Sequence, residues 1–93
     1  MDFKPGDKVT VTITANEISA HGTQAHIAYG HADHREQSLT VRTATPGVTV
    51  TDTGIAIEAE VMQAAPFFAS YGNGGQRIGV KPGTPGVTIT AAR

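Results

Sequence analysis

Four histidines stand at His21, His26, His31 and His34, with Asp33 between the last two. Imidazole and carboxylate groups are ligands for Zn, Ni or Cu, and His31, Asp33 and His34 would offer three donors from one short segment. Parity argues against a shared centre, because on one straight strand His21 and His31 point one way and His26 the other. The surrounding stretch from Gly30 to Gln37 contains no apolar residue larger than Ala32 and reads as an exposed loop. Solvated loop histidines therefore outweigh a metal site, and folding is expected to need no metal.

Two further stretches invite a chemical reading. Asp52-Thr53-Gly54 resembles the triplet of retroviral-type aspartic proteases, which implies an all-β dimer with Asp52 of each subunit in a shared two-carboxylate site. The rest departs from that pattern: the triplet lies past the middle of the chain, it follows Thr49 and Thr51 instead of an apolar strand end, and the later apolar-apolar-Gly-Arg segment is absent. Asp and Gly are also what a tight reversal selects, so a hairpin turn is the stronger reading. Gly72-Asn73-Gly74-Gly75-Gln76-Arg77 could cradle a phosphate only by opening a helix, whereas Ile78-Gly79-Val80 continues as a strand. An Asn-Gly hairpin fits better. No Ser, His and Asp set carries a recognisable local signature. No catalytic or cofactor-binding residue is assigned, and no cofactor is expected.

The elements that would position these residues are all strands. Thr-Pro-Gly-Val-Thr-Val-Thr at Thr45 to Thr51 returns as Thr-Pro-Gly-Val-Thr-Ile-Thr at Thr84 to Thr90, and Val9 to Thr14 echoes both. Each copy puts β-branched apolar residues on one parity and threonines on the other, so a strand buries Val or Ile and presents hydroxyls. Two rough units emerge, each passing through Tyr-Gly, a polar reversal, a short strand and Thr-Pro-Gly-Val-Thr. Duplication of a β unit explains this; so does the recurrence of Thr-Val alternation and Pro-Gly turns by chemistry alone.

Taken in order, the spacing predicts a strand from Lys8 to Ala15, then a change of apolar parity at Asn16-Glu17 to Ile18 and Ala20. That change marks a β-bulge or a corner between sheets. A turn at His21-Gly22 leads to a strand from Thr23 to Tyr29 facing Ala25, Ile27 and Tyr29 inward. Leu39 and Val41 form a short strand, which the Ala44 to Gly47 turn is expected to fold into a hairpin with Val48 and Val50. Ile55, Ile57, Ala59 and Val61 alternate with Ala56, Glu58, Glu60 and Met62, the clearest amphipathic strand; a helix over Ala56 to Ala65 is the alternative on propensity. Pro66 ends that segment, and Phe67 to Tyr71 carries most of the aromatic mass. After the reversal at Gly72 to Gly75, Ile78 and Val80 form a strand, Pro82 to Gly86 turn it, and Val87 to Ala91 close the fold. If the strands of Glu58 and Arg77 are neighbours, Glu58 and Glu60 meet Arg77 and Lys81 across the exposed face. The expected fold is all-β, a small antiparallel β-sandwich or barrel of about seven to eight short strands.

Composition sets the bounds. Ninety-three residues make one domain, 1–93, with five aromatic residues, no Trp and no Cys. A core of Val, Ile, Leu and Ala in so small a domain gives a thin stability margin and no covalent staple, which favours self-association. Seven Lys or Arg against eight Asp or Glu, in no block of like charge, disfavour nucleic acid as the main ligand. The opening residues lack the apolar core of a secretory signal, no run is apolar enough to span a bilayer, and no membrane partner is expected.

Phe3-Lys4-Pro5-Gly6-Asp7-Lys8-Val9-Thr10-Val11 resembles the opening turn and strand of SH3-like small proteins of actinobacterial phages, and also the first strand of immunoglobulin-like modules. The Ala- and Thr-rich, Lys-poor composition is similar to that of phages with GC-rich genomes. The resemblance implies a phage-encoded structural or protein-interaction module, such as a head-decoration or tail component, with no catalytic residue to carry over. The chain lacks a Trp- and Pro-rich ending and a core Trp or Cys. A regulatory protein that binds a host protein is the first alternative; a small aspartic or metal-dependent hydrolase is the second.

Overall fold

The computed structural model describes residues 3–30, 37–65, 69–80 and 86–91. Eight strands account for most of them: β1 Lys8–His21, β2 Gln24–Tyr29, β3 Gln37–Arg42, β4 Val48–Val50, β5 Gly54–Ala64, β6 Ala69–Asn73, β7 Gln76–Val80 and β8 Val87–Ala91. All pairings are antiparallel, in the order β3-β2-β1-β5-β6-β7, with β4 added to β5 and β8 added to β1. The sheet curls until β7 meets β3, and it is nearly closed into a barrel.

The alternation read from the sequence holds along β1, β2 and β5. Val9, Val11 and Ile13 of β1, Ala25, Ile27 and Tyr29 of β2, and Ile55, Ile57, Ala59 and Val61 of β5 all point inward and are buried. The residues from Ala56 to Ala64 are strand and not helix, because tertiary pairing on both edges of β5 overrides the propensity of Glu, Ala and Met. The parity change at Asn16 is a β-bulge: Ala15 faces Tyr29, and the register resumes with Glu17 opposite Ala28. At that bulge β1 passes from pairing with β5 and β8 to pairing with β2. The extra residue bends the strand and so begins the closure.

The halves β1–β4 and β5–β8 are related by a pseudo-twofold axis through the Val11–Ile57 pair. Lys8 opposite Glu60 at one end of the β1–β5 ladder is matched by Thr14 opposite Gly54 at the other, and Val9–Ala59 by Ile13–Ile55. The bulge between Ala15 and Glu17 is matched by one between Val61 and Gln63, and Tyr29 opposite Ala15 by Tyr71 opposite Val61. Ala15 donates its N–H to Thr53 O at 2.8 Å and Val61 donates to Asp7 O at 2.9 Å, the same bond in each half. The repeated Tyr-Gly has a structural role here. Each bulge residue reaches over the glycine that follows the buried Tyr: Asn16 Nδ2 donates to Gly30 O at 2.9 Å, and Met62 Sδ lies over Gly72.

The last strand of each half crosses to the other half, and this corrects one expectation. β4 does not form a hairpin with β3. It pairs with β5 through the Asp52-Thr53 turn, while β3 pairs only with β2 along its ladder. The Thr45 to Gly47 segment carries the chain across the end of the barrel, because the edge of β3 is taken up by closure against β7. The sequence repeat and the structural repeat are also out of step. The first equates Val48 with Val87, but Val48 faces Ile57 whereas Ile89 faces the equivalent Val11, two residues further on. A slip of two keeps every side chain on its own face, so the alternation survives it.

Candidate functional site

The outer face of the four strands β8-β1-β5-β4 is built from the residues between the buried ones, and strand register sorts them into rows. One row crosses all four strands as Thr88, Thr12, Ala56 and Thr49. The next runs Thr90, Thr10, Glu58. The third runs Lys8, Glu60, Gly72 and Arg77, from β1 across β5 and β6 to β7. The face therefore passes from hydroxyls and methyls to paired charge, and Lys8 Nζ meets Glu60 Oε1 at 2.6 Å. Both partners are largely exposed, so this pair holds geometry more than it stabilises.

The charged row corrects the expected meeting of Glu58 and Glu60 with Arg77 and Lys81. β6 lies between β5 and β7, and Glu60 takes Lys8 of β1 as its partner instead. Lys81 lies outside the described residues, as do Phe67, Phe68 and the Pro82 to Pro85 part of the expected turn.

Beside this row, two adjoining open clefts of about 480 and 380 Å³ share Glu60, Gly72, Asn73 and Gly74. Asn73 organises them, and the sequence reading placed it wrongly in the reversal. The turn is Gly74-Gly75, with φ of 53° and 90°, and Asn73 is the last residue of β6, facing Gln76. A type I′ turn needs positive φ at both central positions, and two glycines supply it at less strain than Asn-Gly. Asn73 is thereby released for another task and is buried. Its Nδ2 donates to Glu58 O at 2.7 Å and to Pro46 O at 3.1 Å, and its Oδ1 accepts from Gln76 Nε2 at 3.1 Å. It sits where the edge of β5 passes from β4 to β6 and satisfies the carbonyls that neither strand can reach.

Gln76 continues the network to β3. Its Oε1 accepts from Arg42 N–H at 3.0 Å and its Nε2 donates to Arg42 O at 3.3 Å. Of the polar side chains lining the clefts, Asn73 and Gln76 are thus engaged with each other and with main chain and Lys8 with Glu60, and no buried side-chain N or O among the described residues lacks a partner. Ligand pockets instead present convergent polar groups to the guest.

The remaining sequence candidates lie elsewhere. His31, Asp33 and His34 are outside the described residues. His21 and His26 share the outer face, contrary to the parity argument, because a hairpin intervenes: Ser19 faces His26 and His21 faces Gln24, so cross-strand neighbours have opposite parity. Ser19 Oγ lies 3.1 Å from His21 Nε2, and His26 Nδ1 lies 2.8 Å from Thr40 Oγ1, all exposed. No group of three or more metal-binding side chains forms among the described residues. Asp52 is exposed in the β4–β5 turn, where Thr51 Oγ1 accepts the Gly54 N–H at 3.1 Å. The glycine of that triplet is set by packing: a Cβ on Gly54 would lie 1.8 Å from Ile13 O.

No family model matches the chain, and no curated protein and no solved structure matches it.

Proposed function

We propose that this protein is a non-enzymatic module that works by protein contact, through the outer face of β8-β1-β5-β4, as a component of a larger assembly such as a phage particle. The observation that carries the reading is the row Thr88, Thr12, Ala56, Thr49, which crosses four strands without a charge or a large side chain. Short hydroxyl and methyl groups on a rigid sheet lose little side-chain entropy when covered, and each hydroxyl can donate or accept across an interface. The two side-chain amides of the adjoining clefts, Asn73 and Gln76, are spent on internal bonds, which supports a contact surface over a small-molecule site.

Mass spectrometry of purified particles from the source phage tests this. The chain is expected among the particle proteins, and the double variant Thr12→Lys, Thr88→Lys, folded by circular dichroism, is expected to be lost from them. Absence of the wild-type chain from particles overturns the assembly reading, and retention of the folded double variant overturns the assignment to this face.

A further inference from the structure

Among the described residues the β8-β1-β5-β4 sheet has open edges at β8 and at β4, and they are unequal. Thr14 donates its N–H to Gly86 O at 2.8 Å, which fixes the hydrogen-bonding phase of the β1–β8 ladder. Antiparallel ladders alternate, so Thr88 and Thr90, opposite Thr12 and Thr10, spend their backbone groups on β1. Val87, Ile89 and Ala91 direct their N–H and C=O groups away from β1, and these have no backbone partner among the described residues. On β4 the outward positions are only Val48 and Val50, and the Val48 N–H is already taken by Thr45 O at 3.3 Å.

Natural edge strands are blunted by charge, proline or a bulge. Val87-Thr88-Ile89-Thr90-Ala91 has none of these. We propose that the β8 edge is a homotypic interface, on which a second copy of this chain adds its own β8 in antiparallel orientation about a twofold axis at Ile89. The occupant follows from the symmetry of the outward groups, Val87 and Ala91 standing two residues either side of Ile89, which makes the strand self-complementary. With the axis at Ile89, Ile89 faces the partner's Ile89, and Val87 faces the partner's Ala91. All these are outward-facing residues, so every outward N–H and C=O finds a partner in one register. A shift by one residue would set outward groups against groups already spent on β1.

The side chains agree with that register. Val87 and Ile89 are half-buried on the core side, and their remaining exposed surface would be covered by Ala91 and Ile89 of the second copy. On the other face Thr88 comes opposite the partner's Thr90, a favourable cross-strand pair. The hydroxyl rows then run unbroken through the joint, and the contact face doubles in width. Strand addition of this kind takes its affinity from main-chain bonds. The inference deepens the contact-module reading and rests on it, but it is tested separately.

Light scattering on the full chain, from low micromolar to submillimolar concentration, is expected to show twice the chain mass. Ala91→Pro removes an outward N–H and leaves the β1 ladder intact, so it is expected to give a folded monomer; Thr12→Lys, on the face and not the edge, is expected to remain dimeric. A monomeric wild type at all concentrations overturns the inference, while the particle experiment still stands on its own. A folded Ala91→Pro that stays dimeric also overturns it. If Ala91→Pro unfolds, hydrogen exchange on the wild type decides: the Val87, Ile89 and Ala91 amides are expected to slow as concentration rises, with Val50 unchanged. Equal rates at all concentrations overturn the β8 edge.

Discussion

Gln76 takes both main-chain groups of Arg42, accepting from its N–H and donating to its C=O, and so performs with one side chain what a neighbouring strand residue would do. This amide joins β7 to β3 and fastens the seam of the barrel. Gln76→Ala is expected to cost about 1–2 kcal/mol, since the seam is partly exposed and water replaces part of the loss. Exchange of the Arg42 amide should accelerate more than that of Val41. Unchanged Arg42 exchange would place the seam elsewhere.

Asn73 should matter more than Gln76. Its removal strands the Glu58 and Pro46 carbonyls in a part-buried position, so Asn73→Ala is expected to cost about 1–3 kcal/mol by denaturant unfolding. Asn73→Asp should be worse than Ala, because a carboxylate would then face two carbonyl oxygens. An Asp variant as stable as the wild type would contradict the donor geometry.

Ile57 and Glu58 are adjacent on β5 and lie on opposite faces, the first fully buried and the second exposed. Ile57→Ala is expected to cost about 2–5 kcal/mol through lost transfer energy and a cavity. Glu58→Ala should cost well under 1 kcal/mol, roughly as surface changes do. Small, equal losses would mean that the centre of the barrel is not packed as described.

Stability should fall in alkali. Burial pushes the Tyr29 and Tyr71 phenols above their ordinary value of 10.0, because the ionised form is poorly solvated inside the barrel. The unfolded chain therefore releases these protons first. The stabilisation is fully present below a pH of about 10 and is lost as pH rises through the raised folded values. Thermal melts across an alkaline series should show this fall, and Tyr29→Phe with Tyr71→Phe should flatten it. An equally steep fall in the double variant would assign the effect to other groups.

Much of the barrel was legible because the core is built from β-branched residues on strict alternation. Val9, Val11 and Ile13, and Ile55, Ile57 and Val61, announce their face residue by residue, and the parity break at Asn16 announces the bulge. Pairing was less legible. Whether β4 joins β3 or β5 depends on which edge is open once the barrel has closed, and closure is made by Gln76, a residue without any local signature. Asn73 was misplaced for a related reason: Asn-Gly is a turn signal by itself, and only the second glycine at Gly75 lets the turn move one place along. An Asn followed by two glycines, which can make the turn without it, is the signal that could have pointed to a bridging role. The hydroxyl face was visible as threonine parity, but its rows required the register of strands distant in sequence.

The exchange of last strands between the halves has a consequence for biosynthesis. β1 emerges early from the ribosome, yet the strand that covers one of its edges spans residues 87–91, and Val9 waits for Ala91. The first half cannot complete its sheet within itself, since its own β4 belongs on β5. Nascent β1 therefore passes through synthesis with an unpaired edge, at a stage when non-local strand pairing is slow and bare edges attract other chains. The alternating threonines keep one face of that waiting strand polar, and the same residues later line the outer hydroxyl rows of the folded sheet.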